Sequence, residues 1–356
     1  DLHSFPTRRS SDLRAFLAAG IASTAALALK PGSARAQIST PAVDPEDSTL
    51  HLVDPQYREM AQAMPAMLFT PDILPDIRAA QDATTVPGSE NPVFESFELP
   101  DSPASFFLYR PDTLRATPTP AIVYIHGGGY ILGSAVSYHV YCYDLAQKSG
   151  AVVASVEYRL APETPFPGPV EDCYDVLSYV FRTAARLGID PDRISIMGAS
   201  AGGGLTAALA LLARDRGQIP VKAQFPIYPM LDYRTGTQAA PVDNPTTGEF
   251  VWGRAANRFG WTSLRGDYGL DDDRVGHFSP SHAATLEGLP PCFMVVGALD
   301  LFMEENAAYA LRLSRDGVPV DFTIYPGAIH GFDIVPGTEL TQRFDANLKQ
   351  AFDRLL

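Results

Sequence analysis

Short apolar runs along this chain alternate with longer segments in which apolar residues recur at helical spacing. Runs at 94–99, 105–109, 121–125, 152–157, 194–197, 223–228, 292–296 and 320–325 predict strands. Helical segments are expected at 136–148, 170–186 and 205–213, with another opening at Glu304-Glu305. Strands that are apolar on both faces and alternate with helices imply a mostly parallel central sheet flanked by helices, an α/β fold. The first two strands are too close for a crossover helix and are expected to pair antiparallel.

Two regions interrupt the alternation. Residues 37–92 are rich in Pro, Asp, Met and Ala, with helical patches at 57–67 and 75–80. Residues 235–282 carry Phe250, Val251, Trp252, Phe259 and Trp261 in a locally amphipathic setting. Together they predict a helical cap over a catalytic domain spanning 93–356, with the second region as its insertion. Aromatic residues in such a cap read either as shaping a substrate pocket, with Phe250 and Trp252 as candidates, or as ordinary core packing. No internal repeat is present.

Composition narrows the function classes. With 356 residues, 46% hydrophobic and 19% charged, the chain can bury one large core. Its net charge of −14 argues against nucleic acid or an anionic membrane surface as a partner. Residues 1–13, DLHSFPTRRSSDL, read as a translated sequencing adapter, so Arg8-Arg9 is not taken as a twin-arginine signal. Residues 14–36 read as a truncated export signal ending in Ala34-Arg35-Ala36, with an apolar core too short to span a membrane, so export is expected. Cys142, Cys173 and Cys292 have neither metal nor disulfide spacing and are expected to be small buried hydrophobes.

The chemistry concentrates at strand ends. Gly198-Ala199-Ser200-Ala201-Gly202 lies between an apolar strand and an Ala/Leu-rich helix. A serine on such a tight turn has its hydroxyl clear of the sheet, beside the amides and dipole of a helix N-terminus. Upstream, His126-Gly127-Gly128-Gly129-Tyr130 follows the strand at 121–125. Its backbone can approach a ligand closely, so Gly127 and Gly128, with Ala201, are expected to donate amides to an oxyanion. No phosphate-loop or dinucleotide fingerprint is present. Tyr130 reads either as a pocket wall or as packing, and His126 as a brace beneath the glycines.

A serine nucleophile needs a base, and the base needs an acid that fixes its tautomer. Beyond residue 282 the chain has one histidine, His330, in a loop directly after the strand at 320–325. The acid is expected at the end of the preceding strand, where Asp300 stands. Glu304, Glu305, Asp316, Asp321 and Asp333 are alternatives, each with a blander reading as a helix-opening, turn, strand or loop residue.

Taken together, HGGGY at 126–130, YRLAPE at 158–163, GASAGG at 198–203, Asp300 and IHGF at 329–332 resemble the hormone-sensitive-lipase-like, or family IV, bacterial esterases. The resemblance covers roughly residues 45–356. It implies an α/β-hydrolase fold with a helical cap, hydrolysis of short- to medium-chain carboxylic esters through an acyl-enzyme, no cofactor, and a homodimer formed through the last strand and helix. Ala199 stands where the family pattern has Asp, and Leu301 where it has Pro; these leave the tuning of the serine and the rigidity of the acid loop open. An amidase or peptidase on the same residues, and a ligand-binding receptor on the same scaffold, remain the alternatives.

Overall fold

The computed structural model describes residues 47–84, 93–114 and 118–356. The adapter-like and export-signal segments, and part of the N-terminal cap segment, lie outside these residues. Eight strands form one sheet: β1 Glu95–Glu98, β2 Ser105–Tyr109, β3 Thr119–Ile125, β4 Val152–Glu157, β5 Ile189–Ala199, β6 Gln224–Ile227, β7 Cys292–Gly297 and β8 Val320–Tyr325. Their spatial order is β1-β2-β4-β3-β5-β6-β7-β8. The β1–β2 and β2–β4 pairs are antiparallel and all others are parallel. This is an α/β-hydrolase fold.

The central strands are buried throughout, as their uniform apolarity requires. One hydrophobic cluster packs on each side of the sheet. On one side, helix Ala201–Arg216 is buried over its first 13 residues, because its Ala, Gly and Leu face neighbours all round. It stops at Gly217, whose φ of 63° supplies a left-handed cap. Helix Glu339–Leu355 begins at Thr338, whose side chain accepts the Thr341 amide.

The sequence-based boundaries shift in places. The strand expected at 194–197 extends back to Ile189, because Thr119 of β3 pairs with Ile189 beyond an irregularity. The Asp190-Pro191-Asp192 stretch, exposed at Pro191 and Asp192, interrupts the apolar pattern there. The helix expected at 170–186 is broken at Thr183, whose hydroxyl donates to the Tyr179 carbonyl. The helix expected from 136 begins as a single tight turn, Val136–Tyr138, before His139–Ser149.

The N-terminal segment and the 235–282 region hold each other. Its helices are Arg58–Ala63, stopped just ahead of Pro65, and Leu74–Thr84. Pro65 forms an isolated bridge with Phe250, the Ala66 amide donates to the Glu249 carbonyl, and the Val251 amide donates to that of Met64. The Glu249 carboxylate accepts the Ser48 hydroxyl and the Thr49 amide, both at 2.6 Å. Among the described residues, no helix is long and apolar enough to cross a membrane.

Candidate active site

Four loops meet at the carboxyl ends of β3, β5, β7 and β8, where parallel strands leave a crevice. At the end of β5, Ser200 has φ 58° and ψ −122°, a conformation L-residues rarely adopt. Three bonds hold it: its amide donates to the Ile227 carbonyl, and its carbonyl accepts the amides of Gly204 and Met230. The flanking glycines are sterically required. A β-carbon at Gly198 would lie 2.4 Å from the Gly202 carbonyl oxygen, and one at Gly202 would lie 2.1 Å from that of Ile125.

His330 sits on the loop after β8, and Asp300 on the turn after β7. The loops are stitched together: the Ala298 amide donates to the Tyr325 carbonyl, and the Leu299 amide donates to that of Ala328. Gly297 permits the contact, since a β-carbon there would lie 2.4 Å from the Ala328 oxygen. Although the acid loop lacks proline, Asp300 Oδ1 accepts the Phe302 amide at 2.9 Å and so fixes its own turn.

These loops bring three side chains into one hydrogen-bonded row. His330 Nδ1 lies 2.7 Å from Asp300 Oδ2, and His330 Nε2 lies 2.9 Å from Ser200 Oγ. A carboxylate only accepts, so Nδ1 carries the proton and the Nε2 lone pair faces the serine hydroxyl. Asp300 and His330 are buried, and Ser200 keeps 9% exposure.

The other acids have partners elsewhere. Glu304 accepts from Asn244, Glu305 from the Leu231 amide, Asp316 from the Leu286 amide, Asp321 from Arg354 and Asp333 from Tyr228.

The Gly127 amide lies near the Tyr138 hydroxyl; burial lifts that phenol to about 12 and the amide draws it partly back. Among the described residues, the amides of Gly127, Gly128, Gly129 and Ala201 donate to no backbone carbonyl. Which of the glycine amides meets an oxyanion depends on loop dihedrals, here φ 126° at Gly128 and 62° at Gly129.

His126 lies beneath this loop, with Nδ1 2.8 Å from the Gly127 carbonyl and its ring stacked 4.2 Å from Tyr158. Burial lowers its pKa to about 4, so it is neutral and Nδ1 donates. The turn after β4 braces the same loop. Tyr158 donates its hydroxyl to the His126 carbonyl, and Arg159 pairs with buried Asp172 at 2.7 Å. From the N-terminal segment, Arg78 donates to the carbonyls of Ile131 and Ala161.

The expected pocket residues divide. Tyr130 is 1% exposed; its hydroxyl donates to the Met230 carbonyl and its ring packs on Trp261. This makes it packing rather than an open wall, because the hydroxyl needs a buried acceptor. Trp252 lies against Gly129 and near Phe69, while Phe250 bridges Pro65. Between them Val251 has φ 64°, and the Trp252 amide donates back to the Phe250 carbonyl at 2.7 Å. That three-residue closure is a strained γ-turn centred on a β-branched residue. The same region reaches the acid loop, where the Gly248 amide donates to the Leu299 carbonyl.

Comparison with known proteins places this geometry. A family model for the α/β hydrolase fold matches residues 122–334. The carboxylesterase NlhH of Mycobacterium tuberculosis is 33% identical over 305 residues, covering 82% of this chain and 89% of that protein. An arylesterase of Saccharolobus solfataricus is also 33% identical, covering 72% of this chain and 81% of its own. Among solved structures, a bacterial heroin esterase superposes with a TM-score of 0.77 at 37% identity, over 87% of this chain and 99% of that one.

Proposed function

The chain belongs to the hormone-sensitive-lipase-like branch of the α/β-hydrolase family, and from that premise we propose how it works as a carboxylic-ester hydrolase. Ser200 is the nucleophile, His330 the general base and Asp300 the acid that fixes the imidazole. The observation that carries this reading is the buried row Asp300–His330–Ser200, with separations of 2.7 and 2.9 Å.

In the first step Ser200 Oγ attacks the ester carbonyl carbon while its proton passes to His330 Nε2. Asp300 stabilises the resulting imidazolium without taking its proton. The carbonyl oxygen becomes an oxyanion held by amides of the glycine loop, Gly127 to Gly129, and by that of Ala201, with the N-terminus of helix Ala201–Arg216 adding its dipole. Collapse breaks the bond to the alkoxy group, which leaves as alcohol with the proton from His330. Water, deprotonated by the same imidazole, then attacks the acyl-enzyme and releases the acid.

Acyl chains are short to medium, a reading supported by Trp252, which lies against Gly129 with Phe69 packed on its indole. The test is a series of p-nitrophenyl esters of increasing acyl length, assayed on wild type and Ser200→Ala. The expected result is hydrolysis that falls with chain length and is lost in the variant; retention of most activity by Ser200→Ala overturns the assignment.

A further inference from the structure

His330 has neighbours that the acyl-transfer scheme does not use. Its ring is met edge-on by two aromatics: Tyr228 at 4.9 Å and 65°, and Phe302 at 5.3 Å and 86°. Phe302 follows from the acid turn, where its amide caps Asp300. Tyr228 lies directly after β6, and its backbone is unusual. Its φ is 35°, a costly value for an aromatic residue, and its amide is fixed to the Val295 carbonyl at 2.8 Å. Its hydroxyl donates to Asp333 Oδ1 at 2.7 Å.

Asp333 lies three residues beyond His330 on the turn Phe332–Ile334. Among the described residues it has no cationic side-chain partner apart from His330, and it is half-buried. Burial raises its pKa, and the Tyr228 hydroxyl, its own amide and the charge of His330 oppose that rise. The backbone of Tyr228 is thus strained, its ring contacts the histidine, and its hydroxyl is anchored on a half-buried acid.

We propose that Tyr228 and Asp333 form a positioning pair for His330: the anchored tyrosine ring packs against the imidazole, and the half-buried carboxylate that it holds adds to Asp300 in stabilising the imidazolium. This inference rests on His330 being the base. Neither residue touches the reacting atoms. The pair would supply part of the charge stabilisation that the imidazolium needs during acyl transfer, in a setting where a nearby charge is little screened.

The groups that set this electrostatic balance are few. His330 faces Ser200 from the β5 elbow, Asp300 from the β7 turn, Tyr228 from the β6 end and Asp333 from its own turn. Asp333 in turn faces Tyr228, with Tyr57, Tyr138 and Tyr141 nearby and Asp345 as the like charge from the last helix. Removing the negative charge of Asp333 therefore makes His330 easier to deprotonate.

The experiment compares Tyr228→Phe and Asp333→Asn with wild type, Ser200→Ala and His330→Ala, using a p-nitrophenyl short-chain ester. Active sites are counted by fluorophosphonate labelling, and folding is followed by thermal unfolding. Tyr228→Phe keeps the ring but leaves Asp333 without its hydroxyl donor; Asp333→Asn keeps the shape and removes the charge. Each should lower kcat per labelled site about 10-fold with little change in KM, and Asp333→Asn should also move the acid limb of kcat/KM about half a unit toward lower pH. Wild-type kcat in both variants and an unmoved acid limb in Asp333→Asn, with His330→Ala inactive, overturn the pair. A fully active His330→Ala instead overturns the assignment of the base.

Discussion

The indole of Trp252 occupies the space that a side chain at Gly129 would need: a β-carbon there would lie 2.1 Å from Trp252 Cη2. The cap region thus presses directly on the glycine loop, and Gly129 is required twice, by this contact and by its φ of 62°. Gly129→Ala should lower kcat by roughly 100-fold, the scale expected for displacing one oxyanion donor. Because the two residues share one volume, Gly129→Ala and Trp252→Ala should be non-additive, the double variant losing less than the product of the single losses. Steady-state kinetics on the four proteins checks this. Independent effects would mean that the indole does not hold the loop.

Asp300→Asn tests the far end of the row. An asparagine can offer an amide to His330 Nδ1 and favour the wrong tautomer, so kcat should fall by about 10⁴-fold while labelled folded protein is still recovered. The five neighbouring acids are each engaged with other partners and should not substitute. A loss below about 10-fold in single-turnover hydrolysis would remove Asp300 from the mechanism.

How much of this was legible in the chain follows from what each feature depends on. The strands could be read because both of their faces are apolar, and Ser200, Asp300 and His330 could be ordered because each follows such a strand. The direction of an amide could not be read. Gly127, Gly128 and Gly129 are equivalent in the string HGGGY, and only the loop dihedrals, φ 126° at Gly128 and 62° at Gly129, distinguish them. The pairing of Tyr228 with Asp333 could not be read for another reason: Asp333 stands out only as an alternative acid, and the two are 105 residues apart and share no motif. The positive φ of Tyr228 has no sequence signature, because the residue type argues against it.

Val251 gives a prediction with an unusual sign. A half-buried valine replaced by glycine ordinarily costs stability, through lost packing and a freer unfolded chain. At φ 64° the valine itself carries strain on the order of 1–3 kcal/mol, which glycine does not. Val251→Gly should therefore be close to neutral in thermal unfolding. Trp252 would be less firmly aimed at Gly129, so kcat/KM should fall severalfold. A loss of more than about 3 kcal/mol in stability would mean that packing outweighs the turn strain at this position.

Glu157 ends β4 and holds the segment that follows the glycine loop, accepting the Ala135 amide at 2.8 Å. Burial raises its pKa from 4.5 to about 7; the charge of Asp82 adds to the rise, and the amides of Ala135 and Val136 oppose it. Since the folded pKa lies above the unfolded one, the folded state holds a proton between pH 4.5 and 7 that the unfolded chain has released. Stability contributed by this group is full below about pH 4.5 and is lost as pH rises through 7. His126, lowered to about 4, works against this on the acid side, since its unfolded form binds a proton first as pH falls below about 6.5. The difference between wild type and Glu157→Gln isolates the carboxylate, because glutamine keeps an acceptor for the Ala135 amide. Glu157→Gln should be more stable than wild type at pH 8, and the gap should close by pH 5. Denaturant unfolding at the two pH values measures it, and a gap of equal size at both would show that Glu157 does not titrate in this range.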